Sequence, residues 1–146
     1  MRSIICYSKN IKDIRNMMEE KKYKIIIVDD DDFLVDMYVT KFNGSDVAVE
    51  AYKSGEVLLE KLKNGEKADL ILLDIVIPGI NGLQVLEEMR KNKLAEGIPV
   101  IMLTNQNDEK DMTLAQKLGV SGYIVKSAAT PSEVVTEALK VIKDKK

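Results

Sequence analysis

Polar residues with useful chemistry directly follow four short apolar runs of the sequence. The runs occupy positions 25–28, 70–73, 100–103 and 123–125, and the polar residues are Asp29 with Asp30, Asp74, Thr104 and Lys126. Neighbouring carboxylates repel one another unless a cation is bound, and hard oxygen ligands suit Mg2+. A carboxylate is also a nucleophile toward phosphorus, and a transferred phosphoryl group needs a metal, a fixed cation and a hydrogen-bond donor around its oxygens. Asp74, with Mg2+, Lys126 and Thr104 beside it, would meet each requirement.

The elements that must position these residues are predicted to be buried strands. The four runs are apolar at every position rather than at every second one, which is typical of strands covered on both faces in a parallel sheet. A fifth candidate, residues 47–52, carries Glu50 and is predicted to be an edge strand. Because ligands bind beyond the carboxyl ends of parallel strands, near the point where strand order reverses, we expect the polar side chains to meet at one edge of the sheet.

Apolar residues at helical spacing lie between the strands and predict five helices. The last helix has the clearest start, with Thr130 as N-cap, Pro131 at the first helical position and Glu133 three residues after the cap. The repeated β-α order predicts an α/β sandwich with a parallel sheet. The residues that mark the helices are Leu34, Met37, Tyr38 and Phe42; Leu58, Leu59 and Leu62; Val85, Leu86 and Met89; Met112, Ala115 and Leu118; and Val135, Ala138, Leu139 and Ile142.

Composition disfavours several other classes of protein. The chain has 146 residues, close to one domain, and 45% hydrophobic with 32% charged residues is typical of a soluble globular protein. A net charge of −2 gives no basic footprint for nucleic acid. There is no histidine, which excludes catalysis by an imidazole base, and the single Cys6 cannot form an internal disulfide. No apolar run is long enough to span a bilayer, so the expected setting is the reducing cytoplasm.

Residues 1–22 fall outside the β-α repeat, so the predicted domain covers 23–146. Ile11, Ile14, Met17 and Met18 would share one face of a short amphipathic helix, which suggests a dimer or partner contact. A disordered tail is an equal alternative. A start codon assigned too far upstream is a third, since Met17 or Met18 would place the initiator just before the first strand.

The sequence resembles the receiver domains of two-component response regulators in four motifs, which are IIIVDDDD, DLILLDIVIPGING, IPVIMLT and GYIVK. The resemblance covers residues 24–143, and the intervals that separate Asp29, Asp74, Thr104 and Lys126 are those of the family. It implies a flavodoxin-like, doubly wound sheet of five parallel strands in the order 2-1-3-4-5 with five helices.

The resemblance also implies a role for each residue of the site. Asp74 would accept the phosphoryl group, Thr104 would hydrogen-bond it and Lys126 would pair with it. Tyr123 would be the switch aromatic, whose rotamer follows the movement of the threonine. Pro78 and Gly82 match the loop after the acceptor.

The implied cofactor is Mg2+. Asp30 and Asp74 would bind the ion directly, Asp29 would bind it through water, and the backbone carbonyl of Val76 would complete the protein ligands.

The sequence departs from the family pattern near the site. Ser127 follows Lys126 where the family usually has proline, often with a cis bond. A cis bond before serine costs about 2.5–4 kcal/mol, so either serine bears that strain or the loop takes another course. Val76 and Gln106 occupy the positions that, in the family, tune how fast water removes the phosphoryl group.

Structural interpretations of the same residues stay open at this point. The acidic run 29–32 could be a solvated loop that caps the first helix, and Asp31 and Asp32 keep that interpretation. Asp74 and Thr104 could be ordinary strand-end residues, and Tyr123 a half-buried packing aromatic. Asn81 followed by glycine is first a turn and a helix start.

The leading hypothesis is a functional receiver that switches protein-protein contacts and is not an enzyme with external turnover. A histidine kinase or phosphotransfer protein would donate to Asp74, and the donor must be another molecule because the chain lacks histidine. The face around the fourth helix and last strand would then engage a target protein, with a phosphorylation-dependent homodimer as one form. No output domain, nucleic-acid contact or membrane contact is expected.

Two other functions are alternatives to this hypothesis. A non-phosphorylated pseudo-receiver would keep the fold and signal by occupancy alone, although such modules usually lack the acceptor or the acid pair that this sequence has. An enzyme on a flavodoxin-like sheet is disfavoured, because the first loop is acidic and has no phosphate cradle of Ser, Thr and Gly. The Asp-x-Asp-Gly-Thr pattern of haloacid-dehalogenase-like phosphatases is also missing.

Overall fold

Five strands alternate with five α-helices along residues 21–145, the part of the chain that the computed structural model describes. The proposals for residues 1–20 therefore lie outside the described residues. The strands are β1 (Tyr23–Val28), β2 (Val47–Tyr52), β3 (Leu70–Leu73), β4 (Val100–Thr104) and β5 (Gly122–Val125). The helices are α1 (Asp32–Phe42), α2 (Gly55–Lys63), α3 (Gly82–Lys91), α4 (Glu109–Lys117) and α5 (Pro131–Asp144), and a short 3-10 turn (Lys126–Ala128) links β5 to α5.

The strands form one parallel sheet in the order β2-β1-β3-β4-β5, which confirms the predicted flavodoxin-like, doubly wound fold. Strand order reverses at β1, because the chain first adds β2 on one side of β1 and then returns to add β3 on the other. The register pairs Val28 of β1 with Leu73 of β3. The residues that follow these two, Asp29 and Asp74, therefore leave the sheet side by side at the switch point, where open α/β sheets bind ligands.

The apolar runs of β1 and β3 are buried on both faces, as their unbroken hydrophobicity predicted. Ile26 and Leu73 pack against α2 and α3 on one face, while Ile27 and Leu72 pack against α1 and α5 on the other. Burial of one such side chain stabilises a fold by about 1.5–3 kcal/mol. These central strands are therefore a stable support for the residues that follow them.

The two edge strands differ in how well the sequence predicted them. β2 lies at an edge, as its charged Glu50 indicated. The prediction that 123–125 is buried on both faces was wrong, because β5 is the opposite edge strand and its residues are all half-buried. Met112, predicted to mark the inner face of α4, is 40% exposed, and Ala115 is the buried residue of that helix.

Side-chain caps fix where the helices begin. Thr130 and Glu133 form the predicted capping box at the start of α5, and Asn81 forms one with Gln84 at the start of α3. Such caps contribute about 0.5–2 kcal/mol each, and they set the direction in which a helix leaves the sheet. No helix within residues 21–145 combines the length and the apolar composition that crossing a membrane requires.

Candidate functional site

Lys126 reaches across the carboxyl edge of the sheet and contacts two carboxylates at once. Its Nζ atom lies 2.6 Å from Oδ2 of Asp29 and 2.8 Å from Oδ2 of Asp74. The three side chains are 8%, 2% and 7% exposed, so the ion pairs are largely shielded from water. The structure thus brings together three residues that the sequence separates by 45 to 97 positions.

Burial and opposite charge act in opposite directions on the pKa of Asp29 and on the pKa of Lys126. Burial raises the pKa of Asp29 above its usual range and outweighs the hydrogen bonds from Lys126 and from the Asp31 amide. Burial alone would lower the pKa of Lys126, but hydrogen bonds and charge attraction from Asp29 and Asp74 outweigh it and raise that pKa. Lys126 therefore carries its positive charge at neutral pH.

A third carboxylate, that of the exposed Asp30, completes an acidic pocket with Asp29 and Asp74. One oxygen from each of the three lies within 4.8 Å of the others. Three carboxylates against the single ammonium of Lys126 leave two formal negative charges (3 − 1 = 2). An all-oxygen donor set with that charge fits a hard divalent cation such as Mg2+.

The loop after β3 is shaped around Asp74. The Val76 amide donates to Oδ1 of Asp74 at 3.3 Å, and the Val76 side chain is 61% exposed. Gly82 packs so tightly here that an added Cβ would lie 2.0 Å from the Asp74 carbonyl oxygen. The Gly82 amide donates to the carbonyl of Ile75 at 2.9 Å, which fixes the start of α3 beside the acidic pocket.

Thr104 is fully buried at the end of β4, next to the strand that delivers the lysine. The register pairs Thr104 with Val125, so Lys126 follows directly beside it. The Oγ1 atom of Thr104 accepts a hydrogen bond from the Gln106 amide at 3.2 Å. A hydroxyl oxygen that accepts in this way keeps its own proton to donate.

Tyr123 is joined to this threonine through the backbone of one residue. The Tyr123 hydroxyl donates to the carbonyl oxygen of Gln106 at 2.5 Å, and the amide of the same residue donates to Thr104. Burial, with the charges of nearby Asp111, Asp108 and Asp74, raises the pKa of Tyr123. The connection through Gln106 was not predicted, because backbone hydrogen bonds in a loop leave no residue signature.

The loop after Lys126 has no cis bond before Ser127 and takes another course, which is the second of the two possibilities that the sequence left open. No peptide bond between residues 21 and 145 is cis, and Lys126 still reaches both carboxylates. The Ser127 amide donates to Oδ1 of Asn105 at 2.9 Å, a bond that a proline at that position could not make. Asn105 was not singled out from the sequence.

The acidic run 29–32 divides between two roles. Asp29 and Asp30 face the acidic pocket, whereas the Oδ1 atom of Asp31 accepts from the amides of Phe33 and Leu34 as the N-cap of α1. Asp32 is the first residue of α1 and its carboxylate lies 3.1 Å from Nζ of Lys53. The capping interpretation is thus confirmed for Asp31, while Asp32 forms an exposed ion pair.

Comparisons with known proteins agree with this geometry. The family model for the response regulator receiver domain matches residues 25–139. The alkaline phosphatase synthesis transcriptional regulatory protein PhoP of Bacillus subtilis is 35% identical over 111 residues, which are 76% of this chain and 45% of PhoP. The chain spans about half the length of the curated relatives it matches.

Solved structures of response regulators share the architecture. The phosphorylated cyanobacterial phytochrome response regulator RcpA is 26% identical with a TM-score of 0.67, and the match covers 84% of this chain and 89% of RcpA. The Mn2+-bound form of response regulator Rcp1 is 25% identical with a TM-score of 0.68, covering 84% and 90% of the two chains.

Proposed function

The chain belongs to the response regulator receiver domain family, and from that premise we propose that it is a working phosphorylation switch with Asp74 as the phosphoryl acceptor. The observation that carries the proposal is the double contact of Lys126 with Asp29 and Asp74, which holds a fixed cation against a buried carboxylate. A site built only for packing would not need three carboxylates around one ammonium.

The reaction follows from the groups at hand. A carboxylate oxygen of Asp74 attacks phosphorus, a P–O bond forms, and the bond from phosphorus to the donor breaks as the donor group leaves. With a phosphohistidine donor the broken bond is P–N and the imidazole leaves. The proposed donor is a histidine kinase or a phosphotransfer protein, because none of these 146 residues is a histidine that could carry the group.

Lys126 and Thr104 can stabilise the negative charge of the transferred phosphoryl group. The Lys126 ammonium already lies against Asp74, so it can pair with phosphoryl oxygens without a long movement. The Thr104 hydroxyl proton supplies a hydrogen-bond donor from the neighbouring strand. Groups fixed in place before the reaction stabilise developing charge without reorganising, which is the main source of rate enhancement in phosphoryl transfer.

The acidic pocket is proposed to hold Mg2+ through Asp29, Asp30, Asp74 and the backbone carbonyl of Val76. When bound, the ion would neutralise phosphoryl oxygens and offset the repulsion among the carboxylates. The burial that raises the pKa of Asp29 supports this proposal, because Lys126 and the Asp31 amide together do not fully offset the burial of this carboxylate. The related Rcp1 has been solved in a Mn2+-bound form.

The face around α4 and β5 is proposed to transmit the signal to a protein target, with a phosphorylation-dependent homodimer as one form of that contact. Tyr123 lies on β5 and connects through Gln106 to Thr104, so a movement of the threonine would shift Tyr123 and change this face. The expected setting is the cytoplasm, where histidine kinases deliver phosphoryl groups.

Intact-protein mass spectrometry tests the proposed function. The protein is incubated with acetyl phosphate and Mg2+, beside the Asp74→Asn variant and a metal-free sample. We expect one added phosphoryl group that requires both Asp74 and the metal. Absence of an adduct, together with absence of Mg2+ binding, would favour the pseudo-receiver that signals without modification.

A further inference from the structure

The two residues that directly follow Thr104 and Lys126 are hydrogen-bonded to each other. The Ser127 amide donates to Oδ1 of Asn105 at 2.9 Å, although the residues are 22 positions apart. Thr104 and Val125 are the last paired residues of β4 and β5, so this bond lies just beyond the end of the strand pairing. It therefore joins the loop that follows Thr104 to the turn that begins at Lys126, at a point where the sheet no longer connects them.

The bond also supplies the N-terminal cap that the 3-10 turn at Lys126 lacks. The first amides of a helical turn have no carbonyl partner within it and need an outside acceptor. Val125 occupies the N-cap position of this turn, and its apolar side chain makes no capping hydrogen bond. The Asn105 side chain takes that place from the neighbouring loop, because its Oδ1 atom accepts from the second residue of the turn.

We propose that Asn105 is a positioning residue that caps the Lys126 turn from the β4 loop and so holds the lysine and Thr104 in register over Asp74. This inference rests on the proposed function of the site. Among residues 21–145, Asn105 makes no hydrogen bond to the three carboxylates or to the lysine ammonium, so it acts through Ser127. The cap couples two groups that must bind one phosphoryl group at the same time, and small errors in such placement slow a reaction sharply.

The alternative is a surface hydrogen bond that contributes to stability alone. Both Asn105 and Ser127 are exposed, and many exposed hydrogen bonds have no functional effect. The two possibilities differ in what a single substitution changes. A structural bond alters the midpoint of unfolding, whereas a positioning bond slows phosphoryl uptake in a protein that remains folded and still binds metal.

The test compares Asn105→Ala with Asn92→Ala in the full chain. Asn92 is a matched control, because its exposed side chain also makes hydrogen bonds, to the backbone and carboxylate of Glu88 on α3. Four quantities are measured for each variant: hydrogen exchange of the Ser127 amide by NMR, the Mg2+ dissociation constant, the melting temperature, and the rate of phosphoryl uptake from acetyl phosphate at saturating Mg2+.

In Asn105→Ala we expect faster exchange of the Ser127 amide and uptake slowed about three- to tenfold, the range set by losing one neutral hydrogen bond. The Mg2+ dissociation constant should stay within twofold, because the carboxylates lie on β1 and β3 loops that the bond does not join. Asn92→Ala should keep the wild-type uptake rate.

Three outcomes would overturn the inference. Unchanged exchange at Ser127 in Asn105→Ala would show that no such cap exists, and unchanged uptake with faster exchange would show that the cap has no positioning role. Equal slowing in Asn92→Ala would assign the effect to general destabilisation. These results are distinct from failure of the proposed function, in which the wild-type protein itself takes up no phosphoryl group.

Discussion

The ammonium of Lys126 lies 2.8 Å from the Oδ2 atom of Asp74, and the end of one intervening strand, β4, separates the strands that these residues follow. This contact depends on the register of β3, β4 and β5, because each strand must end at the right height for its following residue to reach the pocket. The same lysine contacts Asp29, which links the ends of β1, β3 and β5 through one side chain. Stability and chemistry are therefore coupled at the site, and substitutions there should affect both.

Lys126→Met should destabilise the metal-free protein by about 3–5 kcal/mol, the cost of leaving buried charges unpaired. Asp29 and Asp74 would keep their burial and lose their shared cation. Urea unfolding at pH 7 without divalent ions measures the loss, and added Mg2+ should recover part of it by replacing the missing positive charge. A variant as stable as wild type without metal would contradict this account of the pocket.

Asp29→Asn should stabilise the metal-free protein at pH 7. The pKa of Asp29 is raised chiefly by burial, so its protonated form favours folding. That contribution is fully present below the unfolded value of 3.8 and is lost as pH rises through the folded pKa. The neutral variant should therefore have a larger free energy of unfolding than wild type at neutral pH, and this difference should disappear in acid. The variant should also bind Mg2+ more weakly. Unfolding midpoints from pH 3 to pH 8 test the sign, and a constant difference would be inconsistent with burial as the cause.

Much of the composition of this site could be predicted from the sequence. The strands β1 and β3 are recognisable as unbroken apolar runs, and the residues that follow two parallel strands must lie at the same edge of the sheet. Asp29, Asp74, Thr104 and Lys126 were placed at one edge on that argument alone. The apolar pattern did not indicate the edge position of β5, since Tyr123-Ile124-Val125 has the same pattern as a central strand, and only the strand order implied by the family resemblance placed it there. The Asn105 cap depends on two loops meeting after β4 and β5 end, and no local pattern encodes that meeting.

Gly82→Ala should lower the free energy of unfolding by about 1–3 kcal/mol, the typical cost of forcing a methyl group into a packed site. The new Cβ would lie 2.0 Å from the backbone carbonyl oxygen of Asp74, so the loop that carries Asp74 must shift. We therefore expect slower phosphoryl uptake as well as lower stability. Gln84→Ala on the exposed side of the same helix start is a useful control, because it removes a cap contact without touching Asp74. Equal effects of the two substitutions on uptake would argue against steric displacement of the acceptor.

Glu50→Gln should destabilise the protein by roughly 0.5 kcal/mol at pH 7, a small effect because this ion pair with Lys24 is partly exposed. Hydrogen bonding to Lys24 lowers the pKa of Glu50. Its stabilising contribution is therefore present above the unfolded value of 4.5 and is lost as pH falls through the folded pKa. Chemical unfolding at pH 7 and pH 3 should show the difference between wild type and variant at the first pH only. A difference that persists at pH 3 would mean that packing, not charge, connects Glu50 to Lys24.

The proposal that Asp74 accepts the phosphoryl group can be checked by locating that group in the sequence. The protein is treated with acetyl phosphate and Mg2+, the acyl phosphate is reduced with borohydride, and the peptides are sequenced by mass spectrometry. Reduction converts a phosphorylated aspartate to homoserine, so we expect homoserine at position 74 and intact aspartate at positions 29 and 30. Homoserine at position 29 or 30, or at none of the three in a protein that binds Mg2+, would contradict it.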